Sequence, residues 1–475
     1  MKSKSHVPWE TAKGNTVKKK ALVAAITAVA LAGLLAACTP STGGGGTAAS
    51  GGTSPKLNNC SNKYVYPKAP EVSVWGWYPN MKLVVDNFNK LHKDVQICWN
   101  NVGQGGDEYT KVQTAITAKK GLPDVVMLEA DHLATYEIQG ALVDISKLGA
   151  DKVKGNFSTG AWNDVSGAGG SVYAAPVDGG PLALIYRTDI FKKYGITTPP
   201  TTWTEYAADA AKVKAAGGPL FGDFGANVPA LTMALTIQKG AVPFTYSSAD
   251  PKNIKIDLND QNSQDVLNYW AGLVKNKEVG TADQFTTDYI SGVVGGKYAT
   301  YVSAAWAPGY LTGAGVGKGK SSGVWAVAPL PQWDAANPVS TNWGGSAFAV
   351  TNQATDKKLA AEVALGIYAD PASLKDGWTN QIIFPLNQSI LKSSDFLNNQ
   401  SAFFSGQTAN KDVYVPAENA YKGINYSPLT VYYYAQLQAE STKINQGKET
   451  GAQAAANVQA SLTKYAQSQG FTVSQ

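Results

Sequence analysis

Between Val72 and Asp131 the apolar positions follow two alternating rhythms. VSVWGWY (Val72 to Tyr78) is short and rich in β-branched and aromatic residues, which predicts a strand. MKLVVDNFNKLHKD then places Leu83, Val84, Phe88 and Leu91 at helical spacing. DVQICWNNV predicts a second strand. DEYTKVQTAITAKKG predicts a second helix, with Tyr109, Val112 and Ile116 on one face and Gly121 as its stop. PDVVMLEA, bounded by Pro123, predicts a third strand. Strands alternating with helices imply a parallel sheet, because each return to the same end of the sheet needs a crossover.

The rhythm breaks at YAAPVDGGPLALIYRTDIF (Tyr173 to Phe191), where two β-like runs flank Pro176, Asp178, Gly179, Gly180 and Pro181. Such a cluster marks a turn or a crossing between lobes. A second α/β region follows. TWTEYAADAAKVKAAGG and DQNSQDVLNYWAGLVKNKEVG read as helices, and KYATYVSAAWAPGYL as a strand running into a loop. GGSAFAV (Gly344 to Val350) is strand-like, DKKLAAEVALGIYAD predicts a helix ending at Pro371, and the chain is helical again from about Leu429. The length, 475 residues, exceeds what one core usually serves, so two lobes are expected.

The N-terminus has a different composition. A polar stretch ends in Lys18, Lys19 and Lys20, and ALVAAITAVALAGLLAA (Ala21 to Ala37) follows without a charge. This is the layout of an export signal; a short membrane anchor is the alternative. Leu35, Ala36, Ala37 and Cys38 match the bacterial lipobox, with cleavage before Cys38 and lipid on its sulfur. The expectation is a signal peptide over 1–37, a glycine-rich flexible tether over 38–60, and a body anchored at the extracytoplasmic face of the membrane. Three cysteines are present. If Cys38 carries lipid, Cys60 and Cys98 remain in a compartment where disulfides persist, which predicts a Cys60–Cys98 bond, with two free thiols as the alternative.

Charge narrows the ligand. The net charge of +5 disappears with residues 1–37, which hold six lysines and one acid, and with it goes the argument for nucleic acid. Arg187 is the sole arginine, so the bidentate recognition of carboxylate or phosphate that Arg usually supplies points elsewhere, toward a neutral ligand. Three histidines, no HExxH, no GxSxG and no EF-hand loop leave no metal site, no cofactor and no nucleophile to expect. TGAGVGKGKSSG (Thr312 to Gly323) resembles a phosphate loop, but Ala314 stands where the first glycine is needed, and it reads as a flexible surface loop.

Aromatics are abundant, with 12 Trp and 23 Tyr. Open parallel sheets bind ligands at the C-terminal ends of their strands. Trp75 and Trp77 end the first predicted strand, Glu129 and Asp131 the third; Asp178 lies in the crossing; Trp306 ends a later strand and Trp343 precedes another. Singly, each Trp has a core reading and Asp131 a helix-cap reading. Their recurrence at strand ends fits a polyhydroxylated neutral ligand, which needs flat faces to stack on and carboxylates to accept hydroxyl protons.

In order along residues 64–470 these segments resemble the solute-binding lipoproteins of bacterial carbohydrate ABC transporters, the maltose-binding-protein-like family. VSVWGWYPNMKLVVDNFNK is similar to the family's first strand and helix, and LPDVVMLEADHLATYEIQGALVDIS to its third strand and acidic sugar contact. YAAPVDGGPLALIYRTDIFKKYGITTPPTTWTEY resembles the first hinge, GKYATYVSAAWAPGY the segment with a stacking Trp, and NWGGSAFAV the second hinge. The resemblance implies a two-lobed periplasmic-binding-protein-like α/β fold, each lobe a mostly parallel sheet flanked by helices and joined by hinge strands. Lobe 1 would comprise 61–178 and 345–395, lobe 2 would comprise 179–344 and 396–475. It makes Asp131 and Asp178 acceptors for sugar hydroxyls and Trp306 a stacking face. Trp343, Gly344 and Gly345 would line the cleft, with Trp77 and Asn227 as further contacts. It implies a monomer that captures a neutral sugar without catalysis and delivers it to a permease. Maltose-specific members carry an Arg or Trp where this chain has other residues, so the sugar stays open. The rival readings are a lipid-anchored glycoside hydrolase, for which no carboxylate pair stands out, and a binder of a peptide or an iron chelate.

Overall fold

The computed structural model describes residues 60–474, Ile382 excepted. The expected signal peptide, the tether up to residue 59 and Cys38 lie outside the described residues. The strands are β1 (Glu71–Trp75), β2 (Gln96–Asn100), β3 (Val125–Glu129), β4 (Ala174–Pro176), β5 (Leu182–Arg187), β6 (Gly222–Asp223), β7 (Phe244–Tyr246), β8 (Asn253–Ile256), β9 (Val279–Gly280), β10 (Thr300–Ala304), β11 (Trp325–Pro329), β12 (Ser346–Val350) and β13 (Thr472–Ser474).

The first sheet has the order β2-β1-β3-β12-β4. Helices α1 (Met81–Leu91) and α2 (Gly106–Ala118) link its first three strands, and α3 (Ala130–Glu137) follows β3 directly. Val125, Val126, Met127 and Leu128 are all fully buried, which is why β3 reads as an unbroken apolar run: both faces are covered. On α1 the buried stripe is Met81, Val84, Val85 and Phe88. Leu83 and Leu91, expected on that face, are 44% and 63% exposed. Leu83 lies on the far side of the helix, about 150° from the centre of that stripe, and Leu91 is the last helical residue.

The second lobe repeats this plan. β10-β5-β11 is antiparallel, and β6 pairs in parallel with β9. A parallel bridge between Leu220 and Tyr298 lays β6 beside β10. In the first sheet β2, β1, β3 and β4 share one direction and β12 alone runs against them; in the second lobe β9, β6, β10 and β11 share one direction and β5 alone runs against them. Each lobe is thus mostly parallel, as expected, with one reversed strand. β12 and β5 each follow a crossing from the opposite lobe, so they enter the interior of their sheet from the crossing end and run against its other strands. Aromatics fill the second core, where Trp203, Tyr206 and Trp270 are fully buried and pack edge to face. Thr202 and Glu205 form a capping box that starts the helix Trp203–Ala215. β13-β8-β7 forms a small separate sheet.

Two departures from the sequence reading concern loops. Trp306 does not lead into a loop but precedes the helix Ala307–Gly313. In the glycine-rich stretch Thr312–Gly323, which is mostly exposed, Val316 is fully buried and Ser321 Oγ accepts from Gly317 N (3.0 Å), so the segment is pinned to the core at Val316 and Ser321. Cys60 and Cys98 form the expected disulfide, and Ser61 N donates to Trp99 O (2.8 Å), tying the start of the body to β2.

Candidate functional site

The two sheets are joined where 177–182 runs antiparallel to 341–346. Leu182 N donates to Thr341 O (3.0 Å), Trp343 N to Gly180 O (2.8 Å), and Asp178 and Ser346 exchange two bonds of 3.0 and 3.1 Å. Gly180 is required by the approach: a Cβ there would lie 2.0 Å from Trp343 O. A third strand joins them, with Gly179 N donating to Phe384 O (2.9 Å) and Leu386 N to Val177 O (3.2 Å). Residues 384–391 are thus shared: their backbone pairs with the first crossing, while Phe384 and Leu391 pack in the core against Ile185 and Trp325.

Beside this junction lies a cavity of about 560 Å³. β1 delivers Trp77 and Tyr78 to it, β3 delivers Glu129, the first crossing Asp178, the end of β10 Trp306, and the helix Ala307–Gly313 Tyr310. The second crossing adds Trp343, Gly344, Gly345 and Ser346, and the turn before the helix Thr287–Val294 adds Phe285. Gly344 has φ 75°, a left-handed conformation suited to glycine, and a Cβ there would lie 3.3 Å from Trp306 Nε1. Trp306 Nε1 donates to Trp343 O (3.0 Å), and the two indoles meet edge to face at 5.0 Å. Phe285 completes the wall, 6.2 Å from Trp306, 5.2 Å from Tyr310 and 6.0 Å from Trp343. On the opposite wall Trp77 packs edge-on to Tyr109 at 5.7 Å.

The cavity's ionisable side chains are acids. Among the described residues Glu129 and Asp178 line it, and no Lys, Arg or His does. Arg187 lies elsewhere, bidentate to Asp189 at 2.8 and 2.7 Å and over the Trp325 ring. Burial pushes the Asp178 carboxyl well above the usual range, although Phe384 N donates to it at 2.8 Å. Burial also raises Glu129, helped by the neighbouring Asp131 and opposed by His132 and by the Tyr109 hydroxyl that donates to it at 2.7 Å. A carboxyl held in its neutral form can both donate to and accept from a hydroxyl.

Of the residues singled out in the sequence, the cavity brings together Trp77, Asp178, Trp306, Trp343, Gly344 and Gly345. Asp131 and Asn227 are not among its lining residues. Asp131 lies in the first turn of α3, behind Glu129, and does not cap the helix; its Oδ1 is 2.5 Å from His132 Nδ1. His132 stacks on Tyr109 at 3.8 Å. Burial lowers the tendency of His132 to charge, but Asp131 and Glu129 outweigh it and raise its pKa. Glu129, Asp131 and His132 offer ligand atoms within 4.8 Å of one another, as do Cys60, Glu71 and Cys98, whose sulfurs are tied in the disulfide. Asn227 is bonded to Gln284 on both sides of its amide, donating to Gln284 O (2.9 Å) and accepting from Gln284 N (3.0 Å). Sequence reasoning passed over Phe285, Tyr310, Tyr78, Gln104 and Gln381. Tyr78 stands beside Trp77 at the end of the first predicted strand and could have been found there; the other four end no strand, so nothing local marks them.

Two α/β lobes joined by crossing strands, with a preformed aromatic cavity at the join, define the class of a two-lobed binding protein. Comparison with known proteins agrees. Residues 78–364 match the bacterial extracellular solute-binding proteins, and the chain belongs to that family. A binding protein of Brucella abortus is 33% identical over 112 residues, which are 24% of this chain; the match spans 27% of that relative's length. An ABC transporter-binding protein of Deinococcus radiodurans is 27% identical over 302 residues, 56% of this chain and 69% of its own. Among solved structures, the ABC transporter associated binding protein of B. animalis subsp. lactis, in complex with β-1,6-galactobiose, superimposes with a TM-score of 0.73 at 27% identity, covering 86% of this chain and 100% of the other.

Proposed function

We propose that this protein captures a neutral sugar or short oligosaccharide in the cavity between its lobes and delivers it to the permease of an ABC transporter, without catalysing any change in it. One observation carries the reading: six aromatic residues (Trp77, Tyr78, Phe285, Trp306, Tyr310 and Trp343) surround two carboxyl groups, with no cationic side chain among the described lining residues. Pyranose rings present apolar C–H faces to aromatics and hydroxyls to acceptors, and nothing in the lining would neutralise an anion. The solved relative with a bound galactobiose supports the same class of ligand. Trp77, Asp178, Trp306, Trp343, Gly344 and Gly345 are proposed to touch the sugar. Asp131 is proposed to act from behind Glu129 through His132.

The division into lobe 1 (61–178 with 345–395) and lobe 2 (179–344 with 396–475) goes with this proposal, and closure of the lobes would be a population shift driven by contacts to both. Lipid on Cys38 and a monomeric body tethered outside the membrane complete it; the family's extracellular placement supports that location. A thermal-shift screen of the purified protein against mono- and oligosaccharides tests it, since a ligand that binds only the folded state raises the melting temperature. No shift with any sugar, together with a shift for a peptide or an iron chelate, overturns the reading.

A further inference from the structure

Phe285 stands apart from the other aromatic residues. It is 45% exposed, and among the described residues no other Phe, Tyr or Trp is in the exposed class. Its φ is 65°, in the left-handed region that L side chains, bulky ones above all, avoid. The four other non-glycine residues with positive φ among the described residues are Asn80, Lys119, Lys277 and Ser405, all polar. Glycine would serve this turn at lower cost, and the ring gains little burial in exchange.

The turn is nevertheless held firmly. Gln284 is 2% exposed. Its main chain is clamped by the Asn227 amide, its side chain donates to Asp223 Oδ2 (2.8 Å), and its Oε1 accepts from the Tyr301 hydroxyl (3.2 Å). Asp223 in turn accepts from the Tyr289 hydroxyl (2.7 Å). On the other side Thr286 caps the helix Thr287–Val294, accepting from Tyr289 N (3.2 Å). Phe285 is therefore fixed from both neighbours, and its ring faces the cavity beside Trp306, Tyr310 and Trp343.

An exposed ring, a disfavoured backbone and a buried polar clamp make sense together only if something covers the ring. We propose that Phe285 is a specificity-determining wall of the cavity, stacking on the C–H face of a bound pyranose, and that Asn227 is the positioning residue that holds it there through Gln284. This rests on the saccharide reading of the cavity. It assigns Asn227 an indirect part in binding, in place of direct contact with the sugar.

The test is calorimetric titration of the purified chain with β-1,6-galactobiose, lacto-N-biose and maltose, following the one that binds wild type most tightly. Phe285→Gly removes the ring and relieves the backbone. The melting temperature of the sugar-free protein should hold or rise while affinity falls about 3- to 10-fold, the worth of one aromatic stack. Phe285→Leu keeps the bulk and the strain but not the flat face, and should lose affinity similarly. Asn227→Asp keeps the acceptor for Gln284 N and loses the donor to Gln284 O. It should weaken binding in the wild-type background and cost almost nothing further in the Phe285→Gly background. Wild-type affinity in Phe285→Gly overturns the inference while leaving the saccharide reading intact. So does an Asn227→Asp penalty of equal size in both backgrounds. Wild-type protein that binds no sugar overturns both together.

Discussion

Asp164 offers a quantitative check on how the two lobes are strapped together. It ends the helix Thr159–Asp164 in the first-lobe core, yet its carboxylate accepts from the Tyr421 hydroxyl (3.0 and 2.9 Å) and from Ile424 N (2.8 Å), in the segment that leads to the C-terminal helices. Nearby, Glu418 accepts from Ser158 Oγ (2.6 Å) and Asn342 Nδ2 (3.1 Å), so this strap is built on acids without a cation. Burial lifts the Asp164 pKa from 3.8 to about 8, with Glu418 and Asp131 adding to it and the Ile424 and Tyr421 bonds opposing it. Between those two values the folded protein holds a proton that the unfolded chain has released, so folding stability falls as pH rises through this window and is fully retained only below it. At about 1.36 kcal/mol per pH unit the ceiling at pH 7 is about 4 kcal/mol; solvent reaching this partly exposed carboxyl reduces the expectation to about 2 kcal/mol. Asp164→Asn is nearly isosteric, can accept from Ile424 N and donate to the tyrosine oxygen, and needs no proton. Urea denaturation of wild type and variant at intervals from pH 5 to pH 8 should give a stability difference in favour of Asn. That difference should be small at pH 5, grow to about 2 kcal/mol at pH 7 and level off above pH 8. Parallel curves across that range would refute the reasoning, because they would mean that Asp164 folds in its charged form.

Three further outcomes are expected. Trp306→Ala removes the indole that holds Trp343 and faces the cavity; sugar affinity should drop by about 2 kcal/mol, as for a central aromatic anchor, with little change in melting temperature, and titration calorimetry beside a thermal melt separates the two. Gly180→Ala forces a Cβ against Trp343 O at 2.0 Å and should cost about 1–3 kcal/mol of stability by prising the crossing strands apart; an unchanged unfolding midpoint would contradict the pairing. Reducing Cys60–Cys98, or replacing Cys98 by Ser, opens a loop with a sequence separation of 38 and should cost about 4 kcal/mol on the loop-entropy model, read as a lower unfolding midpoint and faster proteolysis ahead of β1.

Much of the first lobe was legible because its signals are local. VVML predicts a buried strand, Gly121 and Pro123 bound it, and Cys60 with Cys98 could be paired once Cys38 was set aside. The crossing at Asp178–Pro181 could be read from turn residues, but its partner strand 341–346 lies more than 150 residues away along the chain, and no local pattern reveals a long-range pairing. The reversal of β12 and β5 has no local signal for the same reason: alternation of strands and helices predicts parallel neighbours, and only the path between lobes turns these two strands against the rest. The strand-end search found Trp77, Asp178, Trp306 and Trp343, whose identity at a strand end is itself the clue. Asn227 entered only through the family resemblance, as a further contact, and its amide is engaged with Gln284.

The sequence by itself determined the chemistry available to this protein: an aromatic-rich, nearly arginine-free chain whose excess of positive charge comes from its first 37 residues, with strands, helices and one disulfide written in local spacing. Tertiary structure alone decided which of those aromatics meet. Trp77 and Trp306 are separated by more than two hundred residues, and Phe285 carries no mark in the sequence that distinguishes it from a core residue; they share one cavity because two crossing strands pair at Gly180, where the backbones approach closely enough to exclude a side chain. Local pattern follows from interactions a few residues apart, whereas a binding site follows from how distant segments close on one another, and that depends on the packing of the whole chain.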